Sequence, residues 1–241
     1  MPDTPLVRSA RRLSKAVSAL SFAPPTTHVY NPLDYAWSIH RRYLQEFGGG
    51  KKVAVFLGMN PGPYGMAQTG VPFGEVAHVR DWLGLSGKVA QPAHPHPKRP
   101  IQGFDCQRSE VSGARLWGWA RRHHPDPRRF FDRFFVFNYC PLVFMEESGK
   151  NRTPDKLPAA EREPLFEACD RALIEALEQL RPEWVIGVGK FAEQRAREIL
   201  GEGGPKIGTI LHPSPASPLA NRGWEPQVEQ QLEAMGLSIG G

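Results

Sequence analysis

Three cysteines are all that the 241 residues contain, and Cys106, Cys140 and Cys169 form no C-x-x-C pair. An odd number so widely spaced fits neither a secreted disulfide framework nor a zinc knuckle nor a four-cysteine iron–sulfur site, and a reducing compartment is expected. Long apolar runs are also missing. The longest, Val53 to Leu57 and on to Met59, falls far short of the roughly 20 residues that cross a bilayer, which argues against a membrane role. No repeat or long polar linker divides the chain. Gly187-Val188-Gly189-Lys190 lacks the spacing of a phosphate-binding Walker loop. Between Gly58 and Gly74 there is no acid, and neither 60–74 nor 212–223 contains a lysine.

Lys and Arg number 30 against 25 Asp and Glu, a formal +5, with 40% hydrophobic and 23% charged residues. Such a chain is globular rather than disordered, and long enough to bury a core without metal or disulfide staples. A single domain over 1–241 is expected, with the basic segment 1–30 helical and packed on it. Leu6, Ala10, Leu13, Val17 and Leu20 recur at helical spacing there. The same stretch, Arg8 to Lys15, is basic, serine-bearing and acid-poor, as organellar leaders are, but the docked helix accounts for its apolar stripe.

The clearest strand is Lys52 to Leu57; Phe134 to Phe137, Trp184 to Val188 and Ile207 to Leu211 follow. Helical patterns lie at Ser109 to Arg122, Glu161 to Leu180, Phe191 to Leu200 and Trp224 to Met235. Strands alternating with helices predict an α/β fold, with a mostly parallel sheet covered on both faces. Ligands of such sheets bind beyond the carboxyl ends of the strands. There stand Met59-Asn60-Pro61-Gly62, Asn138-Tyr139-Cys140-Pro141, Gly189-Lys190 and His212-Pro213-Ser214-Pro215. Each alone fits a turn or a cap; four at neighbouring strand ends suggest a site.

Charge is segregated along the chain. From Pro97 to Arg133 nine basic residues face four acids, while Glu161 to Glu202 carries six basic residues and ten acids. One basic face, attractive to polyanions, is the expectation. His94, His96, His123 and His124 sit among Pro, Lys and Arg without metal-ligand spacing, and read as a basic surface loop.

Gly58-Met59-Asn60-Pro61-Gly62-Pro63-Tyr64-Gly65-Met66-Ala67-Gln68-Thr69-Gly70-Val71-Pro72-Phe73-Gly74-Glu75 closely resembles the first motif of the single-strand-selective monofunctional uracil-DNA glycosylases, within the uracil-DNA glycosylase superfamily. His212-Pro213-Ser214-Pro215-Ala216-Ser217-Pro218-Leu219-Ala220-Asn221-Arg222-Gly223-Trp224 is similar to the second motif. Phe137 to Leu142 is similar to the base-reading segment, and the order is the family's. The resemblance implies a three-layer α/β/α sandwich around a four-stranded sheet, a metal-free and cofactor-free hydrolysis of the uracil N-glycosidic bond, and an abasic product.

Those residues suit that chemistry. Breaking N1–C1′ leaves positive charge on the sugar and negative charge on the departing base, after the nucleotide has been turned out of the stack. By resemblance, Asn60 positions water and His212 donates to uracil O2 as charge grows there. Asn138 reads the base: an amide answers N3–H and O4 together, and cytosine presents the reverse pair. That discrimination requires a hydrogen bond holding the amide against flipping. Phe73 would stack on the base, and Gly58 and Met59 belong to the same binding loop. Gly62 and Met66 flank the C5 position, which implies room for 5-hydroxymethyluracil. Without a lysine in either motif there is no amine for a Schiff base, so the reaction is monofunctional.

The second motif is the expected wedge and DNA contact, through Pro213, Ser214, Pro215, Ala216 and Ser217, with Asn221, Arg222 and Lys190 near phosphate. Better-known members carry a basic residue and then Asn where Ala216 and Ser217 stand, which leaves double-strand activity open. A DNA binder without catalysis would not need Asn60, Asn138 and His212 together. A nucleotide hydrolase would need a Walker loop or an acidic metal cluster. The expected partner is uracil-containing DNA, met by a monomer inside the cell: in the cytoplasm or nucleoid of a bacterium, or in the nucleus of a eukaryote.

Overall fold

A computed structural model describes residues 2–240 of the chain. Its strands are β1 (His28–Tyr30), β2 (Ala54–Gly58), β3 (Phe134–Asn138), β4 (Val143–Met145), β5 (Asn151–Arg152), β6 (Trp184–Val188) and β7 (Lys206–Ile210). The central sheet runs β3-β2-β6-β7 and every pairing in it is parallel. β2 and β3 are buried along their whole length, as strands covered on both faces must be. A second sheet, β1-β4-β5, is antiparallel and was not expected from the sequence.

The helices are α1 (Pro5–Ser18), α2 (Pro32–Tyr35), α3 (Trp37–Phe47), α4 (Met66–Thr69), α5 (Val76–Asp81), α6 (Val111–His123), α7 (Pro127–Arg133), α8 (Ala159–Leu180), α9 (Lys190–Leu200) and α10 (Trp224–Ala234). Side chains alternate across the sheet. Phe56 and Phe134 face Trp119 of α6 and Phe130 of α7, and Trp119 meets Trp224 of α10 edge to face. On the other side Phe135 meets Tyr43 of α3, and Gly187 backs directly onto Glu193 of α9. The architecture is therefore a three-layer α/β/α sandwich around a four-stranded parallel sheet, as the resemblance implies.

α1 docks on α8 through Leu6, Val7, Ala10, Leu13 and Val17, all buried. Thr4 caps it by accepting from the Val7 amide, and Ser9 Oγ donates to Glu175 Oε2 at 2.5 Å. Leu20 lies beyond the helix end and is only partly buried. Among the described residues, no helix is long and apolar enough to cross a membrane.

Some element ends move for visible reasons. β2 starts at Ala54, because Lys52 N–H bonds Leu180 O and Val53 N–H bonds Arg133 O before the ladder with β3 begins. It reaches Gly58 because that carbonyl accepts from Tyr139 N–H at 2.9 Å. The main-chain bond from Cys140 N–H to Met59 O then joins the two strand-end loops.

Several cations of the 97–133 stretch have local partners. Arg122 pairs with Glu225, Arg133 donates to the carbonyls of Ser238 and Ile239, and Arg115 donates to Pro213 and Ser214 carbonyls. The surface-loop reading of the four histidines fails for two of them. His96 is buried with Nε2 at the carbonyls of Glu146 and Glu147, and His124 is buried with Nε2 at Ile239 O.

Candidate active site

At the carboxyl ends of β2, β3 and β7 lies a cavity of about 390 Å³, walled by Met59, Asn60, Gly62, Met66, Phe73, Asn138, His212 and Ser214. Residues more than 150 positions apart meet there because β3, β2 and β7 are parallel strands of one sheet and end on the same edge of it. A larger groove of about 610 Å³ lies between α8 and α9, lined by Phe166, Phe191 and several acids, and holds none of the predicted residues. We assign the chemistry to the smaller cavity, where the convergent amides and imidazole are.

The loop 58–75 is built around Gly58. A Cβ there would come within 2.6 Å of Phe73 Cε2 and closer still to Asn138 Oδ1, so only glycine lets ring and amide share the space. Gly58 itself stands behind the wall, not in it. Gly62 is the opposite case: a Cβ there would meet nothing within 4 Å, so that side of the cavity is open. Phe73 takes a left-handed backbone with φ of 53°, a strained state for a bulky residue that the surrounding structure must impose. Its carbonyl accepts from Glu75 N–H at 2.7 Å, and its ring lies 6.3 Å from the His212 ring.

Asn60 donates from Nδ2 to Leu142 O at 3.1 Å, which turns its Oδ1 away as a free acceptor. Asn138, 6% exposed, donates from Nδ2 to Met66 Sδ at 3.4 Å. Its Oδ1 is buried and meets no donor. Such an acceptor is costly unless a ligand supplies an N–H. The anchoring bond expected of Asn138 thus runs to a sulfur, and it engages the amino side only.

His212 Nδ1 accepts from Ser214 N–H at 3.0 Å, which fixes the proton of the neutral ring on Nε2. Burial pushes its pKa below the ordinary histidine value, so the neutral form is favoured. The loop that follows is tied by Arg115 of α6, which donates to Pro213 O at 3.0 Å, Ser214 O at 3.4 Å and Asn221 Oδ1 at 2.9 Å. Asn221 Nδ2 donates to Pro215 O at 2.8 Å, so both ends of that amide brace the loop. Pro213 is buried; Pro215, Ala216, Ser217, Asn221 and Arg222 lie on the rim outside the cavity. Lys190 is exposed at the start of α9, where Gly189 lies beside His212.

Four wall residues have no counterpart in the sequence reading: Glu110, Ser112, Asn151 and Thr153. Glu110 caps α6, accepting from Ser112 N–H at 3.1 Å and Gly113 N–H at 2.5 Å, and burial pushes its carboxyl up. The capping position before an apolar-periodic helix was a readable sign of its place, though not of the cavity. Asn151 and Thr153 arrive with the small sheet, which no periodicity announced.

The family model of the Uracil DNA glycosylase superfamily matches residues 47–232. A rat protein named single-strand selective monofunctional uracil-DNA glycosylase is 51% identical over 228 residues, covering 94% of this chain and 82% of that protein. A cattle protein of the same name is 50% identical over 228 residues, covering 94% and 84%. Among solved structures, wild-type Pedobacter heparinus SMUG2 aligns with a TM-score of 0.67 over 95% of this chain and 97% of that one. At 17% identity that likeness is one of fold.

Proposed function

The chain belongs to the single-strand-selective monofunctional uracil-DNA glycosylases of the uracil-DNA glycosylase superfamily, and from that premise we propose how its cavity works. It is a DNA-repair hydrolase that cleaves the N-glycosyl bond of uracil in DNA. The observation that carries the residue roles is the meeting of Asn60, Phe73, Asn138 and His212 in one cavity.

The flipped uracil stacks on Phe73. Its N3–H supplies the donor that Asn138 Oδ1 lacks, and its O4 accepts from Asn138 Nδ2. Cytosine would oppose an unprotonated N3 to that oxygen, and the Met66 sulfur resists the amide flip that could accommodate it. As N1–C1′ breaks, the electron pair leaves with N1 and negative charge spreads to O2, where the Nε2–H of neutral His212 donates. A neutral donor stabilises that charge without first having to give up a proton. Water held by Asn60 Oδ1 adds to C1′ of the oxocarbenium-like sugar, the proton it sheds neutralises the departing uracil anion by way of solvent, and the abasic strand stays intact. An amide orients water but scarcely deprotonates it, which suits attack late in bond breaking.

The open side at Gly62, beside Met66, accommodates a C5 substituent, and 5-hydroxymethyluracil is the second substrate. Lys190, Arg222 and the 213–217 segment meet the DNA, with Asn221 holding the loop that presents them. The enzyme acts as a single-domain monomer without cofactor, inside the cell. The test is release of uracil from a single-stranded oligonucleotide in EDTA, with wild type beside His212→Ala. Release by wild type, strand breakage only after alkali, and a loss of about 10²–10³ in the variant are expected. Equal rates for the two proteins would remove His212 from the chemistry; tight binding with no release would make the protein a binder.

A further inference from the structure

Beside the cavity two arginines lie against one aromatic ring. Tyr64 stands in the 58–75 loop between the wall residues Gly62 and Gly65. The Arg108 guanidinium lies 4.5 Å from its ring centroid and donates from Nη1 to its hydroxyl at 3.0 Å. The Arg99 guanidinium lies 5.7 Å from the same ring. Among the described residues neither arginine has a carboxylate within ion-pair distance. Two guanidiniums within 6 Å of one ring centroid, neither beside a carboxylate, repel one another, and the ring quadrupole offsets only part of that. An anion held by both would offset the rest.

The mount is rigid. Gln68, 1% exposed, donates from Nε2 to Pro63 O at 2.9 Å and to Pro100 O at 3.2 Å. Its Oε1 accepts from Gln102 N–H and Gly103 N–H. One buried amide therefore links the residue before Tyr64 to the residue after Arg99. Tyr30, also buried, donates from its hydroxyl to Arg99 O at 2.8 Å. Arg108 is exposed, precedes the wall residue Glu110 by two positions and donates to Tyr64, the neighbour of the wall residue Gly65, so its head lies beside the cavity. Guanidinium forks suit phosphate oxygens, and a strand delivering one nucleotide to the cavity must carry its phosphodiesters across this rim.

We propose that Arg99 and Arg108, mounted on Tyr64, bind a backbone phosphate of the DNA strand next to the flipped nucleotide. The proposal rests on the glycosylase reading of the cavity. It gives the strand a fixed contact beside the cavity, in addition to the loop that carries Pro213 to Ser217.

The experiment measures binding of a single-stranded oligonucleotide carrying one 2′-fluoro-2′-deoxyuridine, whose glycosidic bond resists cleavage, by fluorescence anisotropy over a range of salt. Wild type, Arg99→Gln, Arg108→Gln, the double Gln variant and the double Lys variant are compared, with Arg171→Gln on α8 as the control. Loss of the shared contact in the double Gln variant should flatten the plot of log affinity against log salt by about 0.7, the value for one phosphate on a single strand, with each single Gln variant between it and wild type. The Lys variant and the control should keep the wild-type slope. A double Gln variant with the wild-type slope and melting temperature overturns the proposal, as does a control that flattens equally. Should the Gln variants melt early, a flattened slope in the folded double Lys variant overturns it too. Uracil release by wild type is scored separately, so failure of the glycosylase reading is distinguishable from failure of the clamp.

Discussion

The two loops that meet over the cavity, 58–75 and 212–223, are held by different means. The first has its carbonyls taken by buried side chains: Tyr35 hydroxyl to Ala67 O at 2.7 Å, His40 Nδ1–H to Gly70 O at 2.7 Å, Trp117 Nε1–H to Pro72 O at 3.2 Å, and Gln68 to Pro63 O. Beyond its first residues the second depends on Arg115, half-buried, on Asn221, exposed, and on Gln227, which donates to the carbonyls of Leu219 and Gly223. A base is read by fixed geometry, and the first loop is built as part of the core. A duplex or a strand has to be entered, and the second loop keeps the freedom of a surface segment. Local stability is thus distributed according to what each loop touches.

The contrast can be broken most severely at Gln68. Gln68→Ala leaves two carbonyls and two amide N–H groups of the first loop and its neighbour without partners, and a loss on the order of 4 kcal/mol is expected in urea denaturation. A loss below 1 kcal/mol would mean that the loop is held elsewhere. Next comes His40, which burial holds neutral by lowering its pKa to about 4. The unfolded chain binds that proton near pH 6.5, so the stability is complete above 6.5 and is lost as pH falls toward 4. The loss is roughly 3 kcal/mol in all. His40→Asn, whose amide can still donate to Gly70 O, should flatten the pH dependence of unfolding in that window; an unchanged dependence would acquit the histidine.

The second loop should respond in the opposite manner, with small effects on stability and larger ones on turnover. Arg115→Ala is expected to cost under about 1 kcal/mol in folding, typical of a partly exposed site, and about tenfold in kcat/KM. Faster amide exchange over 213–221 and partial rescue by Arg115→Lys would separate positioning from general damage. The smallest effect is expected from Ala216→Arg with Ser217→Asn, which returns the basic residue and Asn of better-known members. The ratio of double- to single-strand activity should rise about threefold, less than one good phosphate contact yields at low salt. A fall in that ratio would show that the small residues suit this loop better.

The central sheet was legible because β2, β3 and β6 are five-residue apolar runs buried almost throughout, and the strand ends carried the motifs that became the cavity wall. β1, β4 and β5 were not: they have three, three and two residues, too few for any period to show, and β1 pairs with β4 across more than a hundred residues. Asn151 and Thr153 were hidden with them. His96 looked exposed among prolines and basic residues, yet the Tyr30 hydroxyl and two carbonyls of the 146–147 turn enclose it. Neighbours in sequence told nothing of those partners.

The bare oxygen of Asn138 carries a consequence for the end of the catalytic cycle. On its proposed role it grips N3–H, a group that the reaction leaves untouched, so it cannot distinguish a base still joined to its sugar from one already cut free. The excised base therefore leaves slowly and competes with the next lesion. Free uracil should inhibit turnover competitively, whereas free cytosine, lacking that hydrogen, should not.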